Sequence, residues 1–235
     1  MKIYKVIQMK RIIIFLLVSG FLCSGCALFS SSQKEKSAQE LADLGMEEFS
    51  KGNYSYAIGH FEKLKDWYPF SKLALLAEIK IADSHYLSKE YEEAVLAYEQ
   101  FESLHPRNEK IPYVLYRIAR CYYDRISTID RDQTSTGNAL HAFNRLLKQF
   151  PDSKYSRQSE AYIGKCLKSL AEHEFYVGRF YFKTKQYLAA LHRFKTVLSD
   201  YPDVGVNWRA LQYIVRCEDI IKGLVQKKNG KDETL

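Results

Sequence analysis

Four segments of the sequence end in the same way, with an aromatic residue or a histidine followed by proline. The prolines are Pro69, Pro106, Pro151 and Pro202. Counted back from each proline, an alanine occurs at twelve residues, an aromatic residue at eight and an apolar residue at five. Residues at these steps share one side of a helix, and proline cannot continue a helix. The pattern therefore predicts four similar helices, each stopped abruptly before the next one begins.

A partner helix is predicted in front of each of these four. Gly45, Ala82 and Gly178 lie 24 residues before their prolines, and Ala119 holds the same place in the third unit. Because Ala119 lies 32 residues before its proline, that unit carries an eight-residue insertion around the letters ISTIDRDQT. A small residue lets two helices cross closely, and a larger one would cost about 1–3 kcal/mol through overpacking.

The turns between the predicted helices have matching chemistry. In the letters SKGNY, Gly52 suits the left-handed conformation that closes a helix. The letters SKEY and TKQY are predicted to make the equivalent turn without glycine. After three of the prolines, Ser71, Ser153 and Asp203 stand where a helix N-cap is expected. Each unit thus consists of a helix, a short turn, a second helix and a proline.

This unit resembles the tetratricopeptide repeat, in which helix pairs stack into a superhelix with one concave face. The chain is therefore predicted to be all-α, with about five helix pairs and no strands. Residues 154–184 are long enough for two helices, and residues 204–228 for a last, capping helix. We divide the folded part into N-terminal repeats at 38–151 and C-terminal repeats at 152–228, followed by a tail at 229–235.

The N-terminus has the composition of an export signal. Residues 1–25 combine a basic head, an apolar run of eleven residues from Ile12 and an exit of small residues. A secretory signal peptide has this order, and the run is shorter than the ~20 residues that span a bilayer. An uncleaved anchor that extends to Phe29 is the alternative interpretation.

The letters LCSGC resemble a bacterial lipobox, in which the last cysteine is lipidated and becomes the new N-terminus. The resemblance implies N-acyl and S-diacylglycerol groups on Cys26, and several acyl chains hold a protein on a membrane stably. Ala27 follows in place of the aspartate that marks inner-membrane retention, which implies an anchor in the outer membrane. Residues 26–37 are small, Ser-rich and charged, as expected of a flexible tether.

Charge and motif content argue against several other functions. The net charge is +7, but four basic residues lie in the first 25 residues, which contain no acid, so the remainder is near neutral and nucleic-acid binding has little support. No phosphate loop, nucleophile elbow or metal-ligand spacing occurs, so neither an enzyme nor a metal or other cofactor is predicted. Glu172 and Glu174 fit solvated positions or interhelical salt bridges better than an acid/base pair. The remaining thiols are expected to be buried core residues, with a disulfide as the alternative; they are Cys121, Cys166 and Cys217.

The aromatic residues four positions after the small residues are candidates for binding. In repeats of this type that position faces the concave groove, and tyrosine offers apolar area with a polar tip. Packing between repeats is the alternative interpretation. Arg120 would suit a terminal carboxylate of a bound peptide. The predicted groove residues are Phe49, Tyr86, Tyr113, Tyr116, Arg120 and Tyr123.

Longer motifs resemble the BamD family of outer-membrane assembly lipoproteins. They are the lipobox, YPFS, DRDQ and LAEHEFYVGRFYF, and the resemblance covers nearly the whole mature chain. It implies a non-enzymatic scaffold on the periplasmic face of the outer membrane. The scaffold would dock on the barrel insertase BamA through its C-terminal repeats and receive unfolded outer-membrane proteins in its N-terminal groove. Arg193 matches a basic position that faces the insertase, and further assembly lipoproteins as partners are left open.

Two other classes of protein share part of this pattern. Another repeat lipoprotein, such as a pilus or secretin pilot or a cell-wall coordination factor, would have the lipobox and the repeats. The letters YPFS and AEHE favour the assembly family over it. An enzyme with an unrecognised site on a helical scaffold is the other alternative.

Overall fold

In the computed structural model of the protein, the backbone is described for residues 36–232 and the side chains for residues 36–226. The predicted signal peptide, the lipidated Cys26 and nearly all of the tether lie outside the described residues. The predictions made for them are therefore carried forward as proposals.

Nine helices form the regular structure of the described residues, and no strand occurs among them, so the all-α prediction is confirmed. Each helix packs on the next one along the chain. Within the same range, no helix combines the length and the apolar character that a membrane span requires. The helices are α1 (Ala38–Ser50), α2 (Tyr54–Trp67), α3 (Lys72–Leu87), α4 (Tyr91–Leu104), α5 (Ile111–Tyr123), α6 (Thr134–Gln149), α7 (Lys154–Lys183), α8 (Tyr187–Asp200) and α9 (Asn207–Asp232).

The turns inside three helix pairs use the left-handed conformation, as predicted. Gly52 has a φ of 81° between α1 and α2. Lys89 and Lys185 take the same conformation between α3 and α4 and between α7 and α8, with φ of 65° and 63°. A left-handed residue that carries a Cβ is strained by about 1–2 kcal/mol. The repeated turn is therefore imposed by the packing of the helix pair rather than by local preference.

Substitutions in two of these turns should change the free energy of unfolding in opposite directions. Gly52→Ala should lower the free energy of unfolding by about 1 kcal/mol, because alanine resists the left-handed conformation. Since a Cβ on Gly52 would meet no other atom, backbone strain is the main penalty. Lys89→Gly should raise the free energy of unfolding by about 0.5 kcal/mol, because relief of strain outweighs the extra freedom of glycine in the unfolded chain. Thermal unfolding followed by circular dichroism measures both, and a neutral Gly52→Ala variant would show that the turn relaxes.

The predicted N-caps are confirmed at two of three positions. The Oγ of Ser71 accepts a hydrogen bond from the Leu73 amide at 3.2 Å, and Ser153 caps α7 in the same way. Asp203 does not cap α9, so that prediction was wrong. Its carboxylate accepts a hydrogen bond from the Gly205 amide at 2.9 Å, within a turn that precedes the helix start at Asn207. The left-handed Gly205 adds this extra turn after the last proline.

The prediction of two helices within residues 154–184 was also wrong. The segment forms one continuous helix, α7, of 30 residues, which corresponds to a length of about 45 Å. The predicted break falls between Leu170 and Ala171, where no glycine or proline occurs. Alanine, leucine and glutamate favour the helical conformation, so nothing in the local sequence interrupts α7.

The buried residues divide into three apolar clusters along the chain. The first joins α1 and α2 to α3, and the second extends from α3 to the first half of α7. The third is built from the second half of α7 with α8 and α9. The second cluster ends at Cys166 and the third begins at Ala171, so the boundary between them lies inside α7. The predicted domain boundary lies earlier, at the turn before α7.

The small residues of the repeat mark close helix crossings, as predicted. A Cβ on Gly45 would lie 2.5 Å from the ring of Phe61, and one on Gly178 would lie 2.7 Å from the ring of Phe194. Both rings are fully buried, and the corresponding alanines of the second and third units are fully buried as well. The crossings therefore have no room for a larger side chain.

The three cysteines of the described region are free and buried, which confirms the core interpretation over a disulfide. Burial raises the pKa of the Cys121 thiol to about 12 and that of Cys166 to about 11, and it also raises the pKa of Cys217. The thiolate is the reactive form of cysteine. These buried side chains therefore belong to the packed core, where the reactive thiolate form is disfavoured.

Candidate functional site

The predicted groove residues lie on the first helix of each pair. These helices form a layer of their own, since α1 packs on α3 and α5 packs on α7. Phe49 lies on α1, Tyr86 on α3 and the other predicted residues on α5. All six side chains are half-buried. They are connected by a chain of hydrogen bonds, ion pairs and ring contacts, which we call the tyrosine–arginine network.

The network begins at a buried carboxylate on α3. Asp83 is 5% exposed and accepts hydrogen bonds from the hydroxyls of Tyr98 and Tyr113, each at 2.5 Å. Lys80 pairs with the other carboxylate oxygen at 3.2 Å. The Nε of Arg117 donates to the Tyr98 hydroxyl at 3.0 Å. A buried carboxylate costs free energy unless it is paired, so these contacts hold α3, α4 and α5 in register.

Arg117 connects this carboxylate to a second one at the end of α5. Its guanidinium lies 3.6 Å from the ring centre of Tyr86. The Tyr86 hydroxyl donates to Asp124, and the Nη2 of Arg120 donates to both oxygens of the same carboxylate at 3.1 Å. Arg117, Asp83 and Asp124 are functional candidates that the repeat pattern does not reveal.

Arg120 carries the network across to α7. Its Nη1 donates to the Tyr162 hydroxyl at 2.9 Å, and its guanidinium lies 4.7 Å from the centre of that ring. The rings of Tyr123 and Tyr162 meet edge-on at 4.7 Å. Tyr116 packs on Tyr155 at 5.5 Å. The first half of α7 is therefore bound to α5 mainly through aromatic rings.

The network carries a small excess of positive charge. Burial raises the pKa of Tyr86, Tyr98 and Tyr113, and their carboxylate neighbours add to that effect, so the hydroxyls stay protonated. Two arginines and Lys80 then face two aspartates, so the network carries one positive charge in excess. The Nε of Arg120 is buried without a hydrogen-bond partner. Such a surface can bind aromatic and carboxylate groups, but it presents no activated nucleophile.

The aromatic ladder also packs within the helix pairs, in addition to the contacts between repeats that the alternative interpretation stated. In three pairs, the aromatic residue near the end of the first helix meets another five residues later, across the turn. Each contact is edge-on, so the rings close the turn. The pairs and their ring-centre distances are Phe49 with Tyr54 at 5.7 Å, Tyr86 with Tyr91 at 5.5 Å, and Phe182 with Tyr187 at 5.6 Å.

A second group of contacts surrounds the letters AEHE in the middle of α7. Arg193 on α8 donates to both carboxylate oxygens of Glu174, at 3.1 and 3.0 Å. Glu172 pairs with Arg209 on α9. The predicted interhelical salt bridges are thereby confirmed. Two glutamates of one motif, on either side of His173, thus bind α7 to α8 and to α9, and we call this group of contacts the salt-bridge face.

The histidine of the same motif binds the insertion of the third unit. The Nδ1 of His173 lies 2.6 Å from the carbonyl oxygen of Ile129, and therefore carries the proton that it donates. One turn earlier, the Ser169 hydroxyl donates to the side chain of Gln133 at 3.3 Å. Gln133 also donates to two carbonyls of its own loop. The letters DRDQ thus form a loop that is fixed to α7 at the changeover between two core clusters.

Arg193 lies where the sequence predicted, one residue before a buried phenylalanine. Its side chain is 40% exposed, whereas that of its partner Glu174 is 14% exposed. An arginine held by a bidentate pair keeps a defined orientation and still presents donors to solvent. Its availability to a partner protein is a proposal that we develop below.

Comparison with known proteins identifies the family to which the chain belongs. The family YfiO, described as an outer membrane lipoprotein, matches residues 34–232. The chain belongs to the YfiO family. The match includes every residue of the tyrosine–arginine network and of the salt-bridge face.

Two relatives of this YfiO protein carry the same name, outer membrane protein assembly factor BamD. The relative from Rickettsia prowazekii is 32% identical over 211 residues, which are 88% of this chain and 83% of that protein. The relative from Caulobacter vibrioides is 30% identical over 84% of this chain, and the match spans 65% of that protein. A solved tetratricopeptide-repeat protein from Thermus thermophilus aligns with 76% of this chain and 100% of its own, at 16% identity and a TM-score of 0.41.

Proposed function

We propose that this YfiO-family protein is a lipid-anchored scaffold of the outer-membrane β-barrel assembly machinery and faces the periplasm. The observation that carries the proposal is the match over more than four fifths of the chain to relatives named as assembly factors. Cys26 would carry the lipid. The protein would act by binding, since the tyrosine–arginine network offers recognition groups rather than a reaction centre. None of the relatives reported above bears the name of a pilot or a cell-wall factor.

The proposed docking partner is the barrel insertase of the machinery, and the C-terminal repeats are its proposed contact. Arg193 lies near the centre of that surface, oriented by Glu174. The direct test is purification of the tagged protein from detergent-solubilised outer membranes, followed by mass spectrometry of what remains bound. The insertase is the expected partner, together with any accessory lipoproteins. Recovery of a secretin or a cell-wall synthase in its place would contradict the proposal.

The proposed client site is the groove of the N-terminal repeats, along the tyrosine–arginine network. An extended peptide with an aromatic residue near its end would stack on the tyrosines. Its terminal carboxylate would bind Arg120 with charge-assisted hydrogen bonds. Because Arg120 already donates to Asp124, the client carboxylate has to compete with an internal one. The network is therefore proposed to open by exchange of one carboxylate for another.

This exchange predicts effects of opposite sign. Arg120→Gln should weaken binding of a C-terminal outer-membrane-protein peptide about tenfold to a hundredfold, because charge-assisted bonds contribute about 1.5–3 kcal/mol. Asp124→Asn should strengthen it, because the competing charge is gone. Fluorescence anisotropy with a labelled peptide measures both. The control is the same peptide with an amidated C-terminus. Its affinity for either variant should differ little from its affinity for the wild type. Equal affinities of the two variants for the free acid would exclude Arg120 from client binding.

A further inference from the structure

The start of the first helix and the first two turns between helix pairs lie at one edge of the molecule. Ala38, Tyr68 and Leu73 pack against the same apolar cluster, so the beginning of α1 adjoins the turn from α2 to α3. Lys65 near the end of α2 and Leu104 at the end of α4 line one small cavity. The turn from α4 to α5 is therefore next along the same edge, which we call the tether edge.

The tether edge exposes large apolar side chains to solvent. Phe70 is 102% exposed, Trp67 is 51% exposed and Leu104 is 59% exposed. Burying such side chains in an apolar phase is favourable by about 1.5–3 kcal/mol each, so leaving them in water needs a reason. Lys72, Arg107 and Lys110 are exposed beside them. Exposed aromatic residues with basic neighbours are typical of segments that lie in a membrane interface.

The short distance to the lipid anchor indicates that the tether edge contacts a membrane rather than another protein. Twelve residues separate Cys26 from Ala38, and a chain of that length reaches at most about 40 Å even when fully extended. A lipidated Cys26 would therefore keep the beginning of α1 close to the bilayer at all times. The neighbouring turns would meet the lipid surface at a high effective concentration.

We propose that Trp67, Phe70 and Leu104 insert into the headgroup layer of the membrane that holds the lipid anchor. The inference rests on the anchor in the proposed function and adds to it a second point of attachment. Tryptophan suits this depth because its ring is apolar and its N–H is polar. Lys72 and Arg107 contact anionic phosphates, and Lys110 joins them by exchanging its ion pair with Glu109 for a phosphate. Two points of attachment fix the orientation of the repeats relative to the bilayer, which a single lipid anchor does not.

The two tryptophans of the chain provide a matched pair of probes. Trp208 is also exposed, at 70%, but it begins α9, at the other end of the row of repeats. Trp208→Phe leaves Trp67 as the only reporter, and Trp67→Phe leaves Trp208. Each full-length, lipid-bearing variant is reconstituted in vesicles of phosphatidylethanolamine and phosphatidylglycerol that contain lipids brominated near the headgroup end of the acyl chain. Bromine quenches only indoles that lie at that depth.

Emission from Trp67 should fall about twofold and shift to shorter wavelength, as expected of an indole at the interface. Emission from Trp208 should change little. Adding Phe70→Ser and Leu104→Ser to the Trp67 reporter should restore its emission, and circular dichroism confirms that the helices persist. Flotation with the vesicles is read separately. A chain that does not float has no anchor, which removes the proposed anchoring and this inference with it. A chain that floats with Trp67 unquenched, or with both tryptophans quenched alike, overturns this inference alone.

Discussion

Arg193→Glu should release the proposed insertase partner from this protein, with a loss of association of about thirtyfold or more. Truncating or reversing one partner of a buried, hydrogen-bonded charge pair at an interface costs about 2–5 kcal/mol, because the other charge is left unpaired. Co-purification of the insertase with the tagged variant measures the loss. Circular dichroism of the variant establishes that the helices remain folded.

The internal partner of Arg193 requires a second variant. Reversal of Arg193 alone also places two carboxylates against each other, since Glu174 lies within hydrogen-bond distance. The exchange Glu174→Arg with Arg193→Glu restores that internal pair but not the charge offered to a partner. Retention of the insertase by the double variant would assign Arg193 to the fold and not to the interface. Lys195→Glu on the same helix is the control, because its pair with Glu218 is exposed and should matter by less than about 1 kcal/mol.

Gly178→Ala should destabilise the C-terminal repeats by about 2–3 kcal/mol. Its Cβ would lie 2.7 Å from the ring of Phe194, and that ring is fully buried. The methyl group therefore forces a shift of α8 away from α7, which is the overpacking penalty of a close-packed core. At about 2–4 °C per kcal/mol for a chain of this size, the melting temperature should fall by roughly 5–10 °C.

Gly164→Ala in the same helix is the matched control for this effect. Gly164 is exposed, and a Cβ there would meet no other atom. Alanine is favoured over glycine inside a helix by about 0.5–1 kcal/mol, so the control should be slightly more stable than the wild type. If both substitutions stabilise the protein, the ring of Phe194 can move aside and the crossing is looser than its geometry indicates.

Much of the fold could be predicted because the repeat consists of residues whose steric effects act on their neighbours in sequence. An aromatic residue eight positions before each proline points inward, and Phe61, Tyr98, Phe143 and Phe194 are all fully buried. Glycine or a strained lysine closes the turn inside three helix pairs, and proline ends the second helix. Each of these effects acts within a few residues, so the linear sequence contains them.

The continuity of α7 could not be predicted from length alone. Two helices of ordinary size fit residues 154–184, and one helix of 30 residues fits them as well. The deciding information is the absence of a breaking residue near Leu170 together with packing on both halves. That packing involves α5 and α6 on one side and α8 and α9 on the other, so it appears only once the chain is folded.

The candidate site could be predicted by residue type but not by partner. The tyrosines and Arg120 follow from the repeat register. Asp83 and Asp124 do not, because the tyrosines that donate hydrogen bonds to them lie on other helices, up to 38 residues away. One signal exists in the sequence: Asp83 lies in the apolar stretch IKIADSHY, and a carboxylate in such a place needs a partner. Long-range pairing of this kind is settled by the fold.

The unbroken α7 acts as a rigid strut between the two proposed binding surfaces. Tyr162 belongs to the tyrosine–arginine network and Glu174 orients Arg193. They lie twelve residues apart on one helix, which is about 18 Å along its axis. A bend between them would have to break backbone hydrogen bonds and detach the DRDQ loop from His173. A pull on the client end is therefore transmitted to the docking end as movement of a single body, without an intervening hinge.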